Sequence, residues 1–118
     1  MANDFKRICT PDISTSLTTI YAVPAGASSA ALESIVIGIT MANKTTSGVT
    51  ASIFIDNEDG SNDVYIVKDA SIPAGSSIEI MSGNKLVLMN DGTNADNLEA
   101  TCSATSSLDV TVSVLEDV

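Results

Sequence analysis

The run LDVTVSVLEDV at residues 108–118 sets Leu108, Val110, Val112 and Val114 against Asp109, Thr111 and Ser113. A period of two sends alternate side chains to opposite faces of an extended chain, giving one face to a core and the other to water. VTASIFID (49–56) repeats the pattern, with Val49, Ala51, Ile53 and Ile55 opposed to Thr50, Ser52, Phe54 and Asp56. LEATCSA (98–104) turns Leu98, Ala100, Cys102 and Ala104 one way. The chain carries 28 Ser and Thr among many Val and Ile, a strand-and-turn composition, and no long run of helix formers at helical spacing. Aromatics are only Phe5, Tyr21, Phe54 and Tyr65, so aliphatic side chains must build the core.

Read along the chain, the pattern predicts eight strands, over 16–23, 30–43, 49–56, 64–70, 77–81, 85–90, 98–104 and 108–118, separated by polar turns. In the second, Ile35, Ile37, Ile39 and Met41 are expected to share the core face. Eight short strands without a helix predict an all-β fold: an antiparallel β-sandwich, jelly-roll-like, of about eight strands. An immunoglobulin-like sandwich is the next candidate, but the chain has no Trp for the usual core. Residues 1–15 show no period and contain Thr10-Pro11-Asp12, so they are expected as an extended N-terminal arm, with the sandwich domain over 16–118.

One phrase occurs twice, 49 positions apart: Val23-Pro24-Ala25-Gly26 and Ile72-Pro73-Ala74-Gly75, each followed by serines and an apolar run. Proline ends ladder pairing because it lacks an N–H, and glycine tolerates backbone angles other residues avoid. Neither copy fits a phosphate-binding glycine loop. Pro24, Gly26, Pro73 and Gly75 are therefore read as structural corners that carry the chain between strands or sheets.

The chemistry available is narrow. The chain has no His, which removes Ser-His-Asp and Cys-His catalysis and most zinc chemistry. Cys9 and Cys102 suit a reduced compartment as small apolar side chains, and a disulfide between them stays open. Lys6 and Arg7 would lower the pKa of the nearby Cys9 thiol, but no base accompanies it. Asp56, Glu58, Asp59 and Asp63 crowd one hairpin tip rather than flanking a cleft. The oxygen-rich loops 56–63 and 91–97 invite calcium but miss the EF-hand order, so no metal or cofactor is assigned. With five basic residues and a net charge of −10, nucleic acid is excluded as a direct partner. No run is long enough to cross a bilayer as a helix and no secretory leader is visible, so no membrane partner is expected.

LTTIYAVPAG, ESIVIGITMANKTTSGVTASIFID, YIVKDASIPAGSSIEIM, KLVLMNDG and LDVTVSVLE together resemble a family of small virion proteins of tailed bacteriophages, over residues 17–116. That resemblance implies a β-sandwich made in the host cytoplasm that decorates or cements the capsid, or sits at the neck or tail, without enzymatic activity. It implies the major capsid protein or another virion protein as partner, and a homo-oligomer, trimer or dimer. The N-terminal Phe5, Lys6, Arg7 and Ile8 are the expected contacts to the shell. A carbohydrate-binding sandwich is the alternative; it needs exposed aromatics or calcium, and only Tyr21 and Tyr65 are at hand.

Overall fold

The computed structural model describes residues 3–56, 63–81 and 85–117. Among the described residues nine strands follow one another: β1 (Asn3–Ile13), β2 (Thr18–Ala22), β3 (Leu32–Asn43), β4 (Val49–Asp56), β5 (Val64–Ile72), β6 (Ser77–Glu79), β7 (Leu86–Asn90), β8 (Asn97–Cys102) and β9 (Leu108–Asp117). Among the described residues the one helical piece is a 3-10 turn at Ala27–Ser29. The first sheet has the order β1-β9-β3-β6, with β7 also paired to β3; the second has the order β2-β8-β4-β5. All named pairings are antiparallel. The chain changes sheet at every link except β4–β5 and β6–β7, the nested path of a jelly roll whose last edge strand is split into β6 and β7.

The core lies where the inner faces meet. Val110, Val112 and Val114 of β9, Ile39 and Met41 of β3, Ile53 of β4 and Leu98 of β8 are all buried there, as alternation requires. The expected core face of β3 holds only in its second half. A bulge between Val36 and Gly38 inserts one residue, so Leu32, Ser34 and Val36 point inward before it and Ile39, Met41 and Asn43 after it. Ile35 and Ile37 are thereby turned outward. A bulge shifts the phase of a period-two pattern by one, and the alternating Ile35, Ile37 and Ile39 hide that shift in the sequence.

Residues 1–15 were expected as an extended arm. Their described part is extended, and it is also paired: β1 runs along β9 from Asn3↔Asp117 to Ile13↔Leu108, which makes it the edge strand of the first sheet and part of the sandwich. Its alternation is obscured because the register breaks between Thr10 and Ile13, where Asp12 takes a positive φ of 60° and Ile13 turns fully into the core.

Both Pro-Ala-Gly phrases sit where the chain passes from the second sheet to the first, after β2 and after β5. The residue before each proline is buried, and its carbonyl is held by the side chain of a buried asparagine that ends a distant strand. Asn90 Nδ2 donates to Val23 O at 2.9 Å, and Asn43 Nδ2 donates to Ile72 O at 3.0 Å. Each asparagine also accepts, on its Oδ1, the amide two residues on: Gly92 N at 2.8 Å and Thr45 N at 2.9 Å. One side chain thus closes its own turn and pins the opposite corner. The turns themselves differ. Gly75 has φ +68°, at the third position of a turn closed by Ser76 N to Pro73 O, where glycine is needed. Gly26 is extended at φ −71°; a Cβ there would stand 3.2 Å from the carbonyls of Ala30 and Ala31, so close approach requires the glycine.

Truncating either asparagine strands a buried carbonyl and a turn amide, so Asn43→Ala and Asn90→Ala are each expected to lower stability by about 1–3 kcal/mol. Asn→Asp at these positions should fare no better, because the aspartate keeps the acceptor and loses the donor. Asn94→Ala, in an exposed loop, should stay within about 0.5 kcal/mol; urea unfolding midpoints of the set compare them directly.

Candidate functional site

The four N-terminal residues expected to act together are divided by the pleat of β1. Their register partners are Phe5↔Leu115, Lys6↔Val114, Arg7↔Ser113 and Ile8↔Val112. Val112 and Val114 face the core, so Lys6 and Ile8 lie on the inner side; Ile8 is half-buried and packs against the core. Phe5 and Arg7 stand on the outer face, Phe5 with 74% of its surface exposed.

Lys6 is committed to the fold. Its Nζ stands 2.9 Å from Oε1 of Glu116, a carboxylate buried between the sheets. The other oxygen, Oε2, accepts from Tyr21 Oη at 2.5 Å, and Tyr21 in turn receives Ser34 Oγ at 2.7 Å, because its single proton goes to Glu116. Oε1 makes no aligned hydrogen bond; its compensation is the pull of the ammonium beside it. The Glu116 carboxylate holds Lys6 above the ordinary lysine value. Burial, then Glu116, pushes the Tyr21 hydroxyl up, so it remains a donor. The cluster joins β1, β2, β3 and β9 and so braces the fold. No motif marks Glu116; the one signal is that the period of two through Leu108, Val110, Val112 and Val114 puts a Glu at the next inward position.

Three further carboxylates are also occupied. Asp109 and Asp12 share Lys44, whose Nζ is 2.9 Å from Asp109 Oδ1. Lys44 draws Asp109 below its ordinary value, burial opposing and the Asp12 amide assisting. Glu79 fills the gap where β6 and β7 part beside the β3 bulge. Burial works against its ionisation, but the amides of Met81 (2.9 Å) and Ile39 (3.1 Å) and the Thr40 hydroxyl (3.0 Å) outweigh it and lower its pKa. A shallow groove lined by Cys9, Thr10, Pro11, Asp109, Val110 and Thr111 contains one carboxylate, the Asp109 already paired with Lys44.

Of the two oxygen-rich loops, residues 57–62 lie outside the described residues. In 91–97, Asp91 Oδ1 accepts the amides of Thr93 and Asn94, and Asp96 Oδ2 accepts that of Met89. Among the described residues no three metal-ligating side chains cluster. Cys9 and Cys102 are both free thiols: Cys9 is exposed on β1 and Cys102 is buried in the second sheet. Of the two tyrosines a sugar would need, Tyr21 is buried, and Tyr65 is exposed beside Phe54 and Lys68. No described helix is long and apolar enough to cross a membrane.

What the outer face of the first sheet does carry is apolar surface. Register places Phe5, Leu115, Ile35 and Val87 side by side across β1, β9, β3 and β7. Val87 is 56% exposed, and Ile37 and Met89 beside the row are 43% and 44% exposed. Four strands thus contribute to one apolar ladder facing water. The sequence hid it because Ile35 and Ile37 are assigned inward by a simple alternation that the bulge reverses.

No protein-family model and no curated protein matches the chain. Among solved structures, one from Bacillus endospore appendages, reported as a novel family of disulfide-linked pili, superposes with a TM-score of 0.51 at 12% identity over 97% of this chain and 86% of that one. The likeness is one of fold. Chains of infectious bursal disease virus, strains Gx and Gt, superpose at TM-scores of 0.45 and 0.40 with 11% identity, and this chain spans 37% and 35% of their lengths.

Two outcomes follow from this geometry. Lys6→Ala leaves the buried Glu116 carboxylate without its ion partner and is expected to cost about 1–3 kcal/mol, while Arg7→Ala next to it stays within about 0.5 kcal/mol, both read from denaturant midpoints. Because the fold favours ionised Glu79 and Asp109, their contribution is complete above the ordinary carboxylate range and is lost as pH falls from there through their lower folded-state values. The unfolding midpoint should therefore drop on acidification, and Glu79→Gln should flatten that drop; Lys6 and Lys44, held high, keep their contribution until strongly alkaline pH.

Proposed function

We propose that the chain is a structural virion protein of a tailed phage, a capsid decoration or cement protein that works in several copies through surface contact, without chemistry of its own. The observation that carries this reading is the exposed apolar ladder on the outer face of the first sheet, in a chain of net charge −10. Contiguous apolar surface of this kind marks a binding face rather than ordinary exposure. Phe5 and Arg7 stand at the β1 end of that face, while Lys6, its side chain half exposed, is paired with Glu116 and Ile8 packs against the core. A rigid jelly roll with its inner charges paired suits a part that must bear load without rearranging. The resemblance of residues 17–116 to small phage virion proteins supplies the choice of particle; a place at the neck or tail is the runner-up within the same reading.

The test is the position of the protein in an intact particle. Density for this sandwich at the junctions of the major capsid protein, in copy numbers that scale with the shell, supports the decoration role. Density confined to a neck or tail ring moves it to the runner-up, and absence from purified particles overturns the reading.

A further inference from the structure

The outer face of the first sheet has a polarity that its apolar ladder alone does not reveal. Two residues along the strands from the ladder, in the row of Ser113, stand Arg7 on β1 and the bulged Ile37 on β3, and Lys85 immediately precedes β7 at the same end. One step to the other side stand Glu33 and its register partner Met89. The apolar row is thus flanked by cations on one side and by a carboxylate on the other. Arg7, Glu33 and Lys85 are all exposed, and none of the three forms an ion pair among the described residues.

We infer that this face is covered by a second copy of the chain, packed sheet to sheet about a two-fold axis that runs along the Phe5–Leu115–Ile35–Val87 ladder. The inference rests on the reading of this face as the assembly surface and names its occupant. A two-fold along the ladder lays each apolar row on its equivalent and exchanges the two flanks, so cations meet the carboxylate flank in both directions. Lys85 then stands over β7 of the second copy, one strand spacing of about 4.8 Å from Glu33 of that copy, within reach of a lysine side chain. A two-fold along the strands would instead lay like charges on like. Charge therefore selects one of the two face-to-face arrangements. The area agrees. The exposed parts of Phe5, Ile37, Val87 and Met89 with their neighbours amount to on the order of 400 Å², about the apolar half of the roughly 800 Å² that each partner buries in a stable interface. Isologous packing of this kind closes on itself and leaves the second sheet free for the shell.

Sedimentation equilibrium and light scattering of the purified full chain across the micromolar range read the proposal. The expected result is a dimer of twice the 12.1 kDa chain. Val87→Asp, at a half-exposed site that leaves the fold intact by circular dichroism, should abolish it. Lys85→Glu should weaken dimerisation by about 10-fold, two exposed attractions becoming repulsions. Combining Lys85→Glu with Glu33→Lys should restore it, an outcome that a folding defect cannot mimic. A wild-type chain that stays monomeric, forms a trimer, or dimerises with no response to Val87→Asp and to the charge swap overturns the proposal. A monomer that still occupies phage particles, with Val87→Asp preventing attachment, makes the shell protein the occupant and leaves the virion role standing. A dimer that never joins a particle has the opposite meaning.

Discussion

Buried backbone groups have to be paired, and in a jelly roll the hardest places to do so are the corners where the chain leaves one sheet for the other. Proline makes those corners worse by removing a donor, and this chain puts proline at two of them. Its solution is the same both times. A strand in the first sheet ends in an asparagine whose amide reaches the carbonyl before the proline, while its oxygen closes the turn it begins. The strand ends are thereby fixed relative to the far corners, and the registers between them inherit that alignment. The repeated phrase is half of a two-part device; the other half, Met-Ala-Asn and Leu-Met-Asn, stands elsewhere in the chain.

Most of the architecture was legible from alternation. β8 and β9 follow it almost residue for residue, because each is a strand with one face in the core, whereas β4 buries Ser52 and Phe54 as well as its core face. β6 and β7 are separated by polar turn residues, and their division was visible too. What alternation could not show was where it is interrupted. The β3 bulge reverses the faces of Ile35 and Ile37, and the irregularity near Asp12 disguises β1 as an arm. In both places the residue types suit either face, so only pairing with neighbours decides between them.

The candidate surface was the least legible part for the same reason. Residues assigned to the interior lie outside, and Lys6, expected as a contact, is paired with a carboxylate near the other end of the sequence. A glutamate in an aliphatic strand is an unfavourable choice unless its charge is met. Here Lys6 and Tyr21 meet it from two other strands, and Ser34 on a third supports Tyr21. The bracing cluster therefore uses one of the two cations of the N-terminal strand as an anchor for the sheet edge.

The pairing of β1 with β9 also fixes where the polypeptide leaves the body. Asn3 lies opposite Asp117, so the two ends of the sandwich emerge together at one corner of the first sheet, beside Phe5. Any tether, tag or fused domain, whichever end bears it, would project from that single corner, and a peptide joining the two would be short enough to make the backbone a closed loop without disturbing either layer.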